Sequence, residues 1–151
     1  MTTLTGHGIT VALPRGWEGA ISWREAGEGE TTHPVAHIGS FPLPAHRGDF
    51  GSLAVDRMGP SDAFIVLLEY HPSSAGTPLF ARPGLPRSVT PGDFDPSALQ
   101  RPVVGHAGTQ AFFTEAARAF CLYVVLGAYR NRARIVPKVN SVLGGIRIGP
   151  A

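Results

Sequence analysis

Apolar and polar residues alternate in the first part of the chain with the period of two that is typical of β-strands. Apolar residues stand at every second position from Ile9 to Leu13, and Pro14 ends the segment. The same period recurs over residues 17–23, between Trp17 and Trp23. Residues 26–32 contain no apolar residue larger than alanine and predict an exposed turn, and residues 33–43 predict a third strand.

The middle of the chain contains a continuous apolar run instead of an alternating one. Residues 63–70 are apolar at nearly every position, which is typical of a central strand that is covered on both faces. Residues 53–58 precede a turn at 59–62 and predict a further strand.

The last third has the clearest pattern. Residues 109–115 and 119–126 alternate and are separated by three residues, so we predict an antiparallel hairpin. The period then changes to that of an amphipathic helix that begins near Ala133 and ends at Gly144-Gly145. The apolar positions of this helix are Ile135, Val139, Val142, Leu143 and Ile146.

Residues 71–108 form a long excursion that is rich in proline. Seven prolines fall between Pro72 and Pro102, and proline cannot donate to a sheet ladder, so the pattern excludes a long strand or helix. Asp95 followed by Pro96 predicts one short helical turn. Because the excursion contains several large apolar residues, we expect it to pack over the body of the protein.

These elements predict one α+β domain over residues 1–151, which is an ordinary length for a single domain. We expect an antiparallel sheet of about six or seven strands, a C-terminal helix on one face, and the long Pro-rich loop covering an edge or the other face.

Charge and composition exclude several classes of protein. The formal net charge is only +2, and the arginines are scattered apart from Arg130, Arg132 and Arg134, so no nucleic-acid partner is predicted. The single cysteine, Cys121, excludes an internal disulfide framework. No apolar run is long enough to span a membrane, and residues 1–5 lack a secretory signal, so a cytoplasmic protein without membrane contact is expected.

The order of these elements resembles a known family. A strand ending in Leu13-Pro14 and followed by Gly16-Trp17, then antiparallel strands, a hairpin and a closing helix with Lys138 and Val142-Leu143, resembles the PsbP/Mog-type fold. The resemblance covers most of the chain, and it implies an antiparallel sheet with helices on its faces and a function in binding partners. The chain lacks the family's export signal and lipidation cysteine, so no functional residue is carried over.

Catalytic and cofactor motifs are weak throughout. His33 and His37 would lie roughly 13 Å apart on a strand, too far to share one zinc ion. Cys121 lies within an apolar strand, where a thiol is usually a small buried hydrophobe. The chain has no Gly-x-Ser-x-Gly elbow and no phosphate loop, so no metal and no cofactor is predicted.

Two hypotheses about function remain. The first is a non-enzymatic adaptor or assembly module that binds another protein, with a second copy of the chain as one candidate. Its predicted binding residues lie on the excursion: Leu79, Phe80, Arg82, Leu85, Arg87 and Phe94. If exposed, the apolar members would form a docking patch with an arginine rim; the alternative is that they cap the sheet.

The second hypothesis is a small hydrolase or isomerase with a cleft between sheet and excursion. It would use Glu69, His71 and His106 as acid and base groups. A cleft that holds two of these side chains within hydrogen-bond reach would favour the enzyme, and a flat apolar surface would favour the adaptor.

Overall fold

The computed structural model describes residues 1–24 and 33–151; the turn predicted for residues 26–32 lies outside the described residues. The described part contains eight strands and one α-helix. They are β1 Thr2–Gly6, β2 Ile9–Leu13, β3 Glu18–Trp23, β4 Pro34–Gly39, β5 Ala63–Glu69, β6 Ala107–Glu115, β7 Arg118–Leu126, α1 Arg132–Leu143 and β8 Ile146–Ile148.

The strands form two antiparallel sheets, where the sequence predicted one sheet of six or seven strands. The larger sheet has the order β3-β4-β5-β7-β6, and the smaller one has the order β1-β2-β8. The prediction missed β1, whose threonine-rich sequence has a single large apolar residue, Leu4. It also assigned Ile146 to the helix. Gly144 and Gly145 end the helix, and Ile146 then pairs with Val11 of β2.

The five-stranded sheet is covered on both faces, which places the core in two layers. One face packs against the three-stranded sheet and α1, through residues such as Ile9, Ile65 and Val139. The opposite face packs against residues 41–58 and against Leu99 and Val103. Every residue of β5 is buried, as its continuous apolar run predicted.

The C-terminal helix follows the predicted periodicity. Ile135, Val139, Val142 and Leu143 are all buried against the sheet. The helix begins at Arg132, one residue before the predicted start, and Pro137 lies in its second turn.

The strand predicted for residues 53–58 is wrong. A short 3₁₀ turn, Val55–Arg57, occupies this place, and Ala54 and Val55 pack onto the sheet while Leu53 points outward. The chain approaches the sheet so closely here that a Cβ on Gly51 would lie 2.0 Å from the ring of Phe64. These residues therefore pack on the face of the sheet as a turn and do not pair with a strand of the sheet.

Residues 71–106 connect β5 to β6 and contain three short 3₁₀ turns, at Pro72–Ser74, Pro78–Phe80 and Pro91–Asp93. Each begins with a proline, which suits the first position of a helical turn because its missing N–H needs no partner there. The segment at Asp95, where a helical turn was predicted, is a simple turn. The N–H of Ala98 donates to the carbonyl of Asp95 (3.1 Å) and closes it.

This segment is bonded to the edge strand β6 at both of that strand's ends. Thr114 donates to the carbonyl of Arg82 (2.9 Å) and accepts from the N–H of Gly84 (2.8 Å). Gly108 and Asp95 exchange two backbone hydrogen bonds of 3.0 Å each. The amide side chain of Asn140 also bonds the backbone of Val89, which ties the segment to α1.

No helix in the described ranges is long and apolar enough to span a bilayer.

Candidate interaction groove

Three of the four apolar members of the surface considered on the excursion follow the alternative and cap the sheet. Phe80, Leu85 and Phe94 are buried, and only Leu79 is exposed, at 61%. Phe80 lies against the rings of Tyr70 and Phe112, with centroids 5.2 and 5.6 Å away. The physical reason is that the 3₁₀ turns and the bonds to β6 point these side chains into the core, where they cap the sheet.

The two arginines of the predicted surface remain at the outside of the protein. Arg87 lies 3.8 Å from the Glu115 carboxylate and donates to the carbonyl of Ile146. Arg82 is exposed and takes part in the β6 contact through its backbone. Because Leu79 is the one exposed member of the four apolar residues, the apolar docking patch does not form.

The acid and base residues of the enzyme hypothesis have separate surroundings. Both carboxylate oxygens of Glu69 accept from the Arg118 guanidinium (2.7 and 2.9 Å) in a buried pair. The Nδ1 atom of His71 bonds the Ser73 hydroxyl (2.8 Å). The Nδ1 atom of His106 is buried without a hydrogen-bond partner, and burial lowers the pKa of this side chain. No hydrogen bond within the described part joins any two of the three.

Arg118 also donates to the carbonyl of Gly149 (2.9 Å), next to β8. Glu69 therefore holds a guanidinium that connects the two sheets, and its carboxylate is buried in this pair. The structure gives Glu69 a role in packing.

A groove of about 480 Å³ opens elsewhere, between the β3–β4 side of the larger sheet and residues 45–53. It is lined by Ser22, Trp23, Val35, His37, Ala45, His46, Arg47, Gly48, Asp49 and Leu53. Two large apolar residues at this groove are more than half exposed: Trp23 at 57% and Leu53 at 55%. Trp23 alternates with Ser22, so its side chain lies on the sheet face of Ile21, where its ring packs edge-on against His7 with centroids 4.6 Å apart.

The polar floor of the groove is organised around His37, which is buried. Its Nδ1 accepts from Nε of Arg47 (2.9 Å), and its Nε2 lies 2.9 Å from the carbonyl oxygen of Asp49. An arginine donor on Nδ1 and a carbonyl acceptor opposite Nε2 fit only the neutral ring with the proton on Nε2. Burial lowers the pKa of His37 further, and the charge of Arg47 acts in the same direction.

Neighbouring side chains hold the floor in place. Nε of Arg24 lies 3.2 Å from a carboxylate oxygen of Asp49. The Nη1 atom of Arg24 donates to the carbonyl of Glu69 (3.3 Å). Arg47 also donates to the carbonyl of Pro44 (2.8 Å). Since both ring nitrogens of His37 are engaged, this histidine is available neither as a base nor as a metal ligand.

Other candidate chemistry is absent from the described residues. They contain no group of three or more His, Cys, Asp or Glu side chains placed to hold a metal ion. His33 packs edge-on against His71, with ring centroids 5.7 Å apart. Burial raises the pKa of the Cys121 thiol to about 12, so the thiolate that a nucleophile requires does not form near neutral pH.

A second, smaller cavity of about 260 Å³ lies between β6 and residues 82–93. Arg82, Asp93, Thr109 and Gln110 are among its lining residues. It occupies the middle of the edge that the excursion bonds at both ends.

The sequence missed the groove because its residues carry no shared motif. Trp23 lies in an alternating segment that predicts a half-buried strand, and Leu53 lies in a predicted strand that does not form. The Arg-Gly-Asp triplet at 47–49 marks the floor, but its conformation depends on contact with His37, which only the folded chain provides.

None of the family models, curated proteins or solved structures compared with the chain matches it.

Proposed function

We propose that the protein is a non-enzymatic interaction or assembly module, and that it binds a partner protein through the groove between β3–β4 and residues 45–53. The observation that carries the proposal is a concave surface at which Leu53 is more than half exposed, with the exposed Trp23 beside it. Large apolar residues are costly to leave in water, and tryptophan is enriched where partners contribute most binding energy.

The groove floor supports binding more than catalysis. Its histidine is held neutral by two hydrogen bonds, and its arginine and aspartate bond other protein groups. A rigid, internally bonded floor provides a preorganised surface, which lowers the entropic cost of binding. The enzyme alternative has no comparable support, because no hydrogen bond within the described part joins any two of Glu69, His71 and His106.

The resemblance to the PsbP/Mog-type fold is part of the proposal, as is a cytoplasmic setting. An antiparallel sheet backed by a C-terminal helix supports the resemblance. The second, three-stranded sheet on the same face departs from it. The resemblance agrees with partner binding as the function.

Leu53→Ser tests the proposed groove, with Leu79→Ser as the matched control. Both residues are leucines of similar exposure outside strands, but only Leu53 lines the groove. We expect a protein captured from native cells by the unmodified chain to be retained by Leu79→Ser and lost with Leu53→Ser. Equal thermal midpoints would show that both variants are folded.

Two results would count against the groove. One is a captured partner that Leu53→Ser retains at full yield; the other is a partner lost equally with both variants. Binding of the purified partner, measured by calorimetry, makes the comparison quantitative. Removal of one well-packed apolar anchor is expected to weaken binding by about 1–2 kcal/mol or more.

A further inference from the structure

The outer edge of β3 carries unpaired backbone groups. Arg24 donates to the carbonyl of His33 (3.1 Å), and Ser22 is in register with Val35, so the even-numbered residues of β3 bond β4. The N–H and C=O groups of Gly19, Ile21 and Trp23 therefore point away from the sheet. No described residue bonds them.

This edge also lacks the features that usually prevent pairing with another strand. The sequence of β3, Glu-Gly-Ala-Ile-Ser-Trp, contains no proline and no lysine. β1 packs on the face of β3, where Gly6 approaches Ile21 and Leu4 approaches Gly19, and it pairs with β2 and not with β3. A six-residue open edge without these features is a template for an added strand.

We propose that β3 pairs with β3 of a second copy of the chain, antiparallel and centred on Ile21. This register uses every outward group: Ile21 faces Ile21 of the second copy, and Gly19 faces Trp23. Each of these pairs can exchange two hydrogen bonds, because all of their backbone groups point outward.

The side chains are complementary in the same register. Glu18 of one copy stands opposite Arg24 of the other, twice in the symmetric dimer. Within one chain Arg24 also contacts Asp49 (3.2 Å), and Glu18 accepts from the N–H of Leu43 (3.4 Å). The two Glu18–Arg24 pairs of the dimer are non-hydrogen-bonded pairs, in which side chains approach closest and opposite charges stabilise the sheet. Charge and hydrogen bonding thus favour a second copy as the occupant.

The dimer would have a continuous ten-stranded sheet. Its two-fold axis is perpendicular to the sheet, so both grooves lie on the same side. The inference deepens the proposed assembly function and rests on it. Ile21, which tests the dimer, does not line the groove, and Leu53, which tests the groove, is not part of β3, so failure of one test leaves the other interpretable.

A disulfide experiment tests the register. Paired Cα atoms at a hydrogen-bonded site are about 5.5 Å apart, within disulfide range. We expect Ile21→Cys to form a covalent dimer under mild oxidation. Trp23→Cys is the matched control, since the two introduced cysteines would lie roughly 13 Å apart. Cys121 is buried and is not expected to react. Absence of the Ile21→Cys dimer, or equal crosslinking of both variants, overturns the register.

Charge exchange provides a second test by sedimentation over a range of protein concentration. The contact is small, so we expect a reversible dimer in the unmodified protein. Glu18→Arg alone and Arg24→Glu alone each place two like-charge pairs in the interface and should weaken dimerisation about tenfold or more. An equimolar mixture of the two variants restores both opposite-charge pairs and should dimerise again. A monomer at every concentration, or a mixture no better than its components, overturns the proposal.

Discussion

The two edges of the five-stranded sheet differ in whether another part of the chain bonds their outward backbone groups. At β6, residues 82–84 bond Thr114 and Asp95 bonds Gly108, so another part of the chain occupies both ends of the edge. At β3, the outward groups of Gly19, Ile21 and Trp23 have no partner within the described part. The long connection between β5 and β6 therefore protects one edge from outside strands, and the other edge stays available for assembly.

The same contrast is present in the ion pairs of the two regions. Glu69 on β5 and Arg118 on β7 form a pair whose side chains are 6% and 5% exposed, respectively. In the pair beside β3, the side chain of Arg24 is 29% exposed and that of Asp49 is 34% exposed. Burial makes a charge costly if its partner is removed, and exposure allows water to replace the partner. The two pairs thus provide the sharpest test of how rigid each region is.

The largest expected effect is that of Arg118→Met. This variant leaves the Glu69 carboxylate buried without a counter-charge and should lower the free energy of unfolding by about 3–5 kcal/mol. Arg24→Met is the matched control and should cost less than about 1 kcal/mol. Urea unfolding followed by circular dichroism measures both. Similar losses for the two variants would contradict the distinction between the regions.

The next effect comes from glycines at the two edges. A Cβ on Gly108 would lie 2.2 Å from the carbonyl oxygen of Ala98, so Gly108→Ala must displace the segment that occupies the β6 edge. We expect a loss of about 1–3 kcal/mol. At the β3 edge, a Cβ on Gly19 would meet the end of the flexible Leu4 side chain at 2.9 Å, and Gly19→Ala should cost less.

Thermal unfolding of the two alanine variants tests this difference. A larger loss for Gly19→Ala than for Gly108→Ala would show that the β3 edge is the more tightly packed one. Equal losses would remove packing as a distinction between the edges.

The sequence predicted most strands because their periodicity is local. The β6–β7 hairpin and the buried strand β5 follow from side-chain patterns within each segment. The division into two sheets was not predictable in this way, since the pairing of Val11 with Ile146 joins residues at opposite ends of the chain. The strand predicted around Val55 failed for a related reason, because its apolar residues pack on a sheet formed elsewhere.

The candidate surface was harder to predict than the fold. Phe80 and Phe94 lie on the proline-rich excursion, where an exposed patch was one hypothesis. Only the bonds between the excursion and β6 show that they point inward. Trp23 and Leu53 are large apolar residues in segments that predict strands, yet both are exposed. Exposure depends on what covers a residue in three dimensions, and a pattern along the chain does not contain that information.

The smallest predicted effect concerns the hairpin that leads into the occupied edge. Ala116 and Ala117 form its two-residue turn with φ of 54° and 59°, a left-handed conformation that costs an alanine about 1–2 kcal/mol. Glycine avoids this cost but loses about 0.5–1 kcal/mol of backbone entropy. Ala117→Gly should therefore raise the free energy of unfolding by up to about 1 kcal/mol. The same substitution at Ala20, within strand β3, should lower it, so a stabilised Ala20→Gly or a destabilised Ala117→Gly in urea unfolding would contradict this account of the turn.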